Sequence, residues 1–216
     1  MSTRPAPAQR ALLLLTLRRT WVGAVTVASA IVLVTATAVV GYVAAYPDPA
    51  DRLVLARSIG SNPGMSALFG ETRALETIAG FTEWRVLLVL AFLAAIWALF
   101  ASTRVLRGEE EAGRAEIVLA APLTRTGALL ATLGALSITL ALLAVVAIGG
   151  LVVTIGSDVG RGPAAALGVA LVGVAAVMAA LGALTSQLAD TRRRAAGIGA
   201  AVLGAWYVIR VVADST

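Results

Sequence analysis

The sequence predicts an all-α fold, a polytopic transmembrane helix bundle of about five spans. Three observations carry this. The 216 residues are 59% hydrophobic, with a mean hydropathy of +0.92, whereas a soluble domain is nearer 45–50% apolar. Several apolar runs exceed the ~18–20 residues needed to cross about 30 Å of hydrocarbon. The runs are continuous and do not alternate, which argues against a β-barrel.

Taken in order, residues 1–20 form a cytoplasmic or interfacial start to a single transmembrane domain over 1–216. "MSTRPAPAQ" reads as disordered. "RALLLLTLRRT", Arg10 to Thr20, is too short to span and predicts a short interfacial N-terminal helix. Its amphipathicity is incomplete, because Arg18 shares a face with Ala11 and Leu14. A signal peptide with "ASA" at 28–30 is the alternative, opposed by an apolar run that continues to Tyr46. The first span covers 21–46, with Trp21, Tyr42 and Tyr46 near its ends, where amphipathic rings favour the interface. Pro47 and Pro49 stop it. An outer loop over 47–83 contains the turn signal "NPG" and predicts short helical pieces at 50–58 and 71–79.

The second span covers 84–103, and a charged loop follows over 104–126. The third span, 127–155, is longer than a bilayer requires, which predicts tilt or an extension. "GSDVGRGP", Gly156 to Pro163, is a tight loop before the fourth span, 164–188. "ADTRRR" ends at Arg194, and the fifth span covers 195–212. Within the spans, Gly134, Gly149, Gly150, Gly168, Gly173 and Gly182 predict close helix approach.

Arginine sets the orientation. With the N-terminus in the cytoplasm, Arg4, Arg10, Arg18, Arg19, Arg104, Arg107, Arg114, Arg125 and Arg192 to Arg194 lie inside. Only Arg52, Arg57, Arg73, Arg85 and Arg161 lie at or beyond the outer face, in agreement with the positive-inside rule. Arg210, near the outer end of the fifth span, can snorkel.

The absent residue types exclude most chemistry. There is no Cys and no His, so disulfides, thiolates, zinc sites and serine–histidine pairs are excluded, and no metal site is expected. The E-E-x-x-x-R spacing at Glu109 to Arg114 occurs in one class of intramembrane protease, but that class also requires histidines. All 17 basic residues are Arg; without Lys there is no standard P-loop. No Asp or Glu lies within the predicted spans, so ion coupling has no group to load at depth. No catalytic residues are predicted, and any energy for transport comes from elsewhere. The basic pI reflects membrane-edge arginines, so no nucleic acid partner is expected.

The charged loop is the exception in so apolar a chain. Glu109, Glu110 and Glu111 are placed to begin a short helix, where acids complement the dipole. Pro122 ends it, Ile117, Val118 and Leu119 lie between, and Arg125 follows. Acidic at its start, apolar in its middle and basic at its end, such a helix suits docking in a partner's groove. A solvated loop with helix-start charges is the plainer alternative.

"RGEEEAGRAEIVLAAPLTR" resembles the cytoplasmic loop of ABC-2 type transporter permeases, with the pattern Arg-x-Glu-Glu, Gly, Glu, Leu-x-x-Pro-x-x-Arg. The matching positions are Arg107, Glu109, Glu110, Gly113, Glu116, Leu119, Pro122 and Arg125, with Glu111 between. "NPGMSALFGE" (62–71) and "GFTEWRV" (80–86) are similar to the outer loop of the actinobacterial polyketide-antibiotic exporter branch. The resemblance implies that the loop carries a cytoplasmic coupling helix contacting an ABC ATPase subunit. ATP and Mg would bind in that subunit, with no cofactor in this chain. It also implies six spans per unit, so five predict the N-terminal part of a permease or an incomplete unit. The missing part would come from a second permease unit or a C-terminal half. The implied function is a permease subunit of an ABC exporter in the cell membrane, moving a hydrophobic or amphipathic small molecule outward. A non-transporting multi-pass accessory or assembly protein is the alternative.

Overall fold

No proline stands between Gln9 and Tyr46, and the chain forms one 39-residue helix there, α1 (Pro7–Ala45). The computed structural model describes residues 7–62, 64–65, 69–70, 72–111 and 123–214. The remaining helices are α2 (Pro49–Gly60), α3 (Ile78–Glu111), α4 (Arg125–Ile155), α5 (Arg161–Leu188) and α6 (Arg192–Asp214). No strand occurs among the described residues. All but α2 are long and apolar enough to cross a membrane, as the sequence predicts.

At about 1.5 Å per residue, α1 is roughly 58 Å long, nearly twice the hydrocarbon thickness. The sequence predicts a separate interfacial helix over 10–20; the structure instead makes those residues the first turns of α1. The buried face explains why. Thr16, Thr20, Ala24, Val27, Ala28, Ile31, Thr35, Val39 and Tyr42 form one stripe at helical spacing, so the supposed interfacial part already shares the packing face of the span. The same reasoning extends α3 beyond the predicted limit at 103. Ser102, Thr103, Val105 and Leu106 are all buried, and the helix persists to Glu111.

α1 packs chiefly on α4, and α3 on α5, while α6 lies against α3 and α5. The core draws on α1 (Ala28, Ile31), α3 (Leu90, Ala94, Leu99), α4 (Leu143, Leu151) and α5 (Leu171, Ala175). The starts of α1, α4 and α6 share one end of the bundle with the finishes of α3 and α5; this is the charged end. Between α1 and α4 the hydroxyls of Thr20 and Thr139 meet at 2.7 Å. Each also lies within bonding distance of a carbonyl one turn back, so neither is left unsatisfied. Large apolar side chains, among them Val153, Val177, Trp206 and Ile209, point outward. In water such a surface would aggregate, but against lipid tails it is the ordinary exterior.

The opposite end is aromatic. Tyr42 is buried, donates to the Leu75 carbonyl at 2.8 Å and stacks on Phe81 at 4.2 Å between centroids. Trp84 donates to the Gly70 carbonyl at 3.3 Å. Thr77 caps α3 by accepting from the Gly80 N–H at 3.0 Å. These bonds hold Gly70, Leu75 and Thr77 against the ends of α1 and α3. The piece predicted at 50–58 is α2. Over 71–79, the described residues 72–77 are turns and bends, and helix begins only at Ile78.

The predicted glycine contacts divide. A Cβ on Gly182 would collide with Ser102 Oγ and lie 3.0 Å from the Leu99 carbonyl oxygen, so α3 and α5 approach closely only without it. A Cβ on Gly150 or Gly168 would crowd Val32 or Ile148 at under van der Waals distance. A Cβ on Gly149 or Gly173 would face open space, and one on Gly134 would make ordinary contact. Gly182→Ala is therefore expected to cost about 1–3 kcal/mol through overpacking, while Gly173→Ala is near neutral. Thermal unfolding of the two variants in detergent micelles checks this, since equal midpoints would contradict the close crossing.

Candidate functional site

Four acids and several arginines converge at the charged end, and each is placed by a helix terminus. Glu109, Glu110 and Glu111 are the last three described residues of α3, which begins at Ile78. The sequence predicts them in the first turn of a helix; the structure instead makes them a continuation of α3, far from its start. Each acid has a partner. Glu109 Oε1 pairs with Arg19 Nη1 of α1 at 2.7 Å. Glu110 Oε2 pairs with Arg107 Nη1, one turn back, at 2.5 Å. Glu111 Oε2 accepts from the backbone N–H of Arg192 at 3.0 Å. Arg192 is the first residue of α6, so Glu111 does complement a helix N-terminus, but that of α6.

Arg107 also bridges to the α5–α6 connection. Its Nε and Nη2 donate to the Asp190 carbonyl at 3.0 and 2.7 Å. Asp190 Oδ2 in turn accepts from Arg194 Nη1 at 3.2 Å, and Thr191 Oγ1 accepts from the Arg194 N–H at 3.2 Å. The result is a clasp in which Arg107 and the three glutamates join α3 to α1 and to the α5–α6 turn. Both ion pairs at its centre are partly exposed, with side-chain exposures of 36% and 27% for Arg19–Glu109 and 26% and 53% for Arg107–Glu110. Exposed pairs of this kind contribute about 0–1 kcal/mol each, so the clasp sets geometry more than stability.

Arg125 is the first residue of α4, exposed, behind a capping Thr124 whose Oγ1 accepts from the Gly127 N–H at 3.0 Å. Gly113, Glu116, Leu119 and Pro122 lie outside the described residues, as does most of the predicted coupling helix. The structure thus brings Arg107, Glu109, Glu110 and Glu111 together and leaves Arg125 outside their network. It adds three residues that motif reading passes over: Arg19, Asp190 and Arg192. The signal for them is weak. "ADTRRR" reads as inside charge, and nothing in one chain shows which helix end meets which.

A second polar site lies near the aromatic end. Glu83 falls inside α3, one residue before the predicted second span, and is exposed. It lines two adjoining cavities, of about 310 and 390 Å³. Among the described residues no group of three or more acids gathers into a metal site.

Comparisons with known proteins agree on one kind of relative. The family model for the multidrug efflux system permease Rv1217c, C-terminal domain, matches residues 53–215. The multidrug efflux system permease protein Rv1217c of Mycobacterium tuberculosis (strain ATCC 25618 / H37Rv) is 30% identical over 174 residues, 79% of this chain. The chain spans 30% of that relative's length. The matched model describes a C-terminal domain, where the sequence predicts an N-terminal part or incomplete unit. It takes in both polar sites except Arg19. Together with the five apolar helices, these likenesses make the chain a multi-pass protein of the cell membrane.

Arg107→Ala removes both bonds to the Asp190 carbonyl and is expected to destabilise by about 1–3 kcal/mol. Arg125→Ala should leave stability within about 0.5 kcal/mol, as for a surface change away from any network. Unfolding of the two variants in micelles tests the clasp, and equal loss from both would contradict it.

Proposed function

This chain belongs to the family of the multidrug efflux system permease Rv1217c C-terminal domain, and from that premise we propose that it is a permease component of an ABC exporter. A separate ATPase subunit binds and hydrolyses ATP with Mg. Its closure pushes on the loop between α3 and α4, at the cytoplasmic side, and the bundle carries that push to the outer face. The cargo is a hydrophobic or amphipathic small molecule. A second permease unit or further half completes the pathway.

The clasp supports this reading most directly. The loop that resembles a coupling helix follows Glu109 and Glu111, from which ties reach α1 and α6. A force applied there moves several helix ends as one body, the kind of element that rigid-body switching requires. Exposed Glu110, Glu111 and Arg125 flank the loop and present charge to a partner. The positive-inside bias puts this end in the cytoplasm, where ATP is found. The ABC-2 pattern at Arg107, Glu109, Glu110, Gly113, Glu116, Leu119, Pro122 and Arg125 supplies the type of partner.

Docking and clasp can be separated by mutation. Glu116→Arg with Leu119→Asp alters the apolar, acidic middle of the loop and replaces none of the clasp residues. The pair is expected to reduce ATPase co-purification and stimulated hydrolysis at least tenfold, with the thermal midpoint unchanged. Normal co-purification and normal transport in this variant would contradict the docking role.

A further inference from the structure

The hydroxyls buried in this bundle follow one habit. Those of Thr35, Thr103 and Ser186 donate to carbonyls one turn back, at 2.7 to 2.9 Å. Thr82 departs from it. This residue is 2% exposed, and its Oγ1 has no hydrogen-bond partner among the described residues. A buried hydroxyl left this way costs free energy that a bound polar group would recover. Thr82 lines the cavity of about 310 Å³ between α3, α4 and α5.

The next residue, Glu83, lines the same cavity and makes no hydrogen bond or ion pair among the described residues. Leu87, Ile155, Val159 and Leu167 belong to the apolar remainder of the wall, and Glu83 is the one charged group among the described lining residues. Glu83 and Leu87 also border the adjoining cavity, where Trp84 and Trp206 offer ring surfaces and Arg73 and Arg210 carry positive charge.

We propose that Thr82 and Glu83 form a binding site for the protonated amine of a lipophilic ligand. The ammonium donates to the Glu83 carboxylate and to Thr82 Oγ1, while the apolar body lies along Leu87 and Leu167. A carboxylate with an orphan hydroxyl beside it suits a donor-rich cation; an anion would meet Glu83 at close range. The head sits at Thr82 and Glu83, and the body extends past Leu87 towards Trp84 and Trp206. The inference deepens the export reading by naming a cargo class, and its test does not depend on transport.

The test uses the full chain in lipid nanodiscs, with dansylcadaverine, which ends in a primary ammonium, and its neutral N-acetyl derivative. Dansyl fluorescence should report at least tenfold tighter binding of the amine. Glu83→Gln should abolish that preference, Glu83→Asp should keep part of it, and Thr82→Val should weaken amine binding several-fold. Glu76→Gln, a nearby exposed acid outside both cavities, should leave binding unchanged. Equal affinity for the two probes, or a preference surviving in Glu83→Gln, would overturn the site. Failure of ATP-driven transport with the amine preference intact would instead count against the export reading alone.

Discussion

A charge among lipid tails needs a partner or a route to water, and this constraint arranges the chain. Its charged residues are gathered at the two ends of the bundle, and the middle is closed by apolar and small side chains. At the charged end, Arg19, Arg107, Glu109, Glu111, Asp190 and Arg192 come from α1, α3, α6 and the α5–α6 turn, and they hold one another in register. α4 joins through the Thr20–Thr139 hydroxyl pair. The loop that bears the permease-like pattern therefore emerges from a fixed point.

The ion pairs in this clasp are weak. Partly exposed ion pairs contribute little, because water and salt screen them and long side chains lose freedom in forming them. They form because helix packing has already brought their ends together. The packing in turn depends on places such as Gly182, where α5 lies against the Leu99–Ser102 turn of α3. Close packing supplies rigidity, and the clasp determines which helix ends move together. That division suits a body that must be pushed without unfolding.

Much of this was legible in the sequence. The five spans follow from apolar runs alone, because hydrocarbon thickness sets a length that few soluble helices imitate. The helix limits were less visible, since a helix can continue past the hydrocarbon edge under charged residues. Arg18 and Arg19 thus hide the continuity of α1, and Arg104 and Arg107 hide that of α3. The three glutamates were read by a sound rule, acid at a helix start, applied to the wrong helix. Only the fold brings the start of α6 beside the finish of α3. Glu83 was passed over for a similar reason, since it precedes the hydrophobic run although it lies inside the helix.

The central claim is that the clasp and its loop face the cytoplasm, within reach of a nucleotide-hydrolysing partner. The chain has no cysteine, so single-cysteine variants need no prior engineering. Labelling of a Glu110→Cys variant in intact cells with a membrane-impermeant maleimide tests the claim most directly. The expected result is no labelling until the membrane is permeabilised, with a Ser61→Cys variant at the end of α2 labelled from outside throughout. Labelling of the Glu110→Cys variant in intact cells would place the clasp on the wrong side and contradict it.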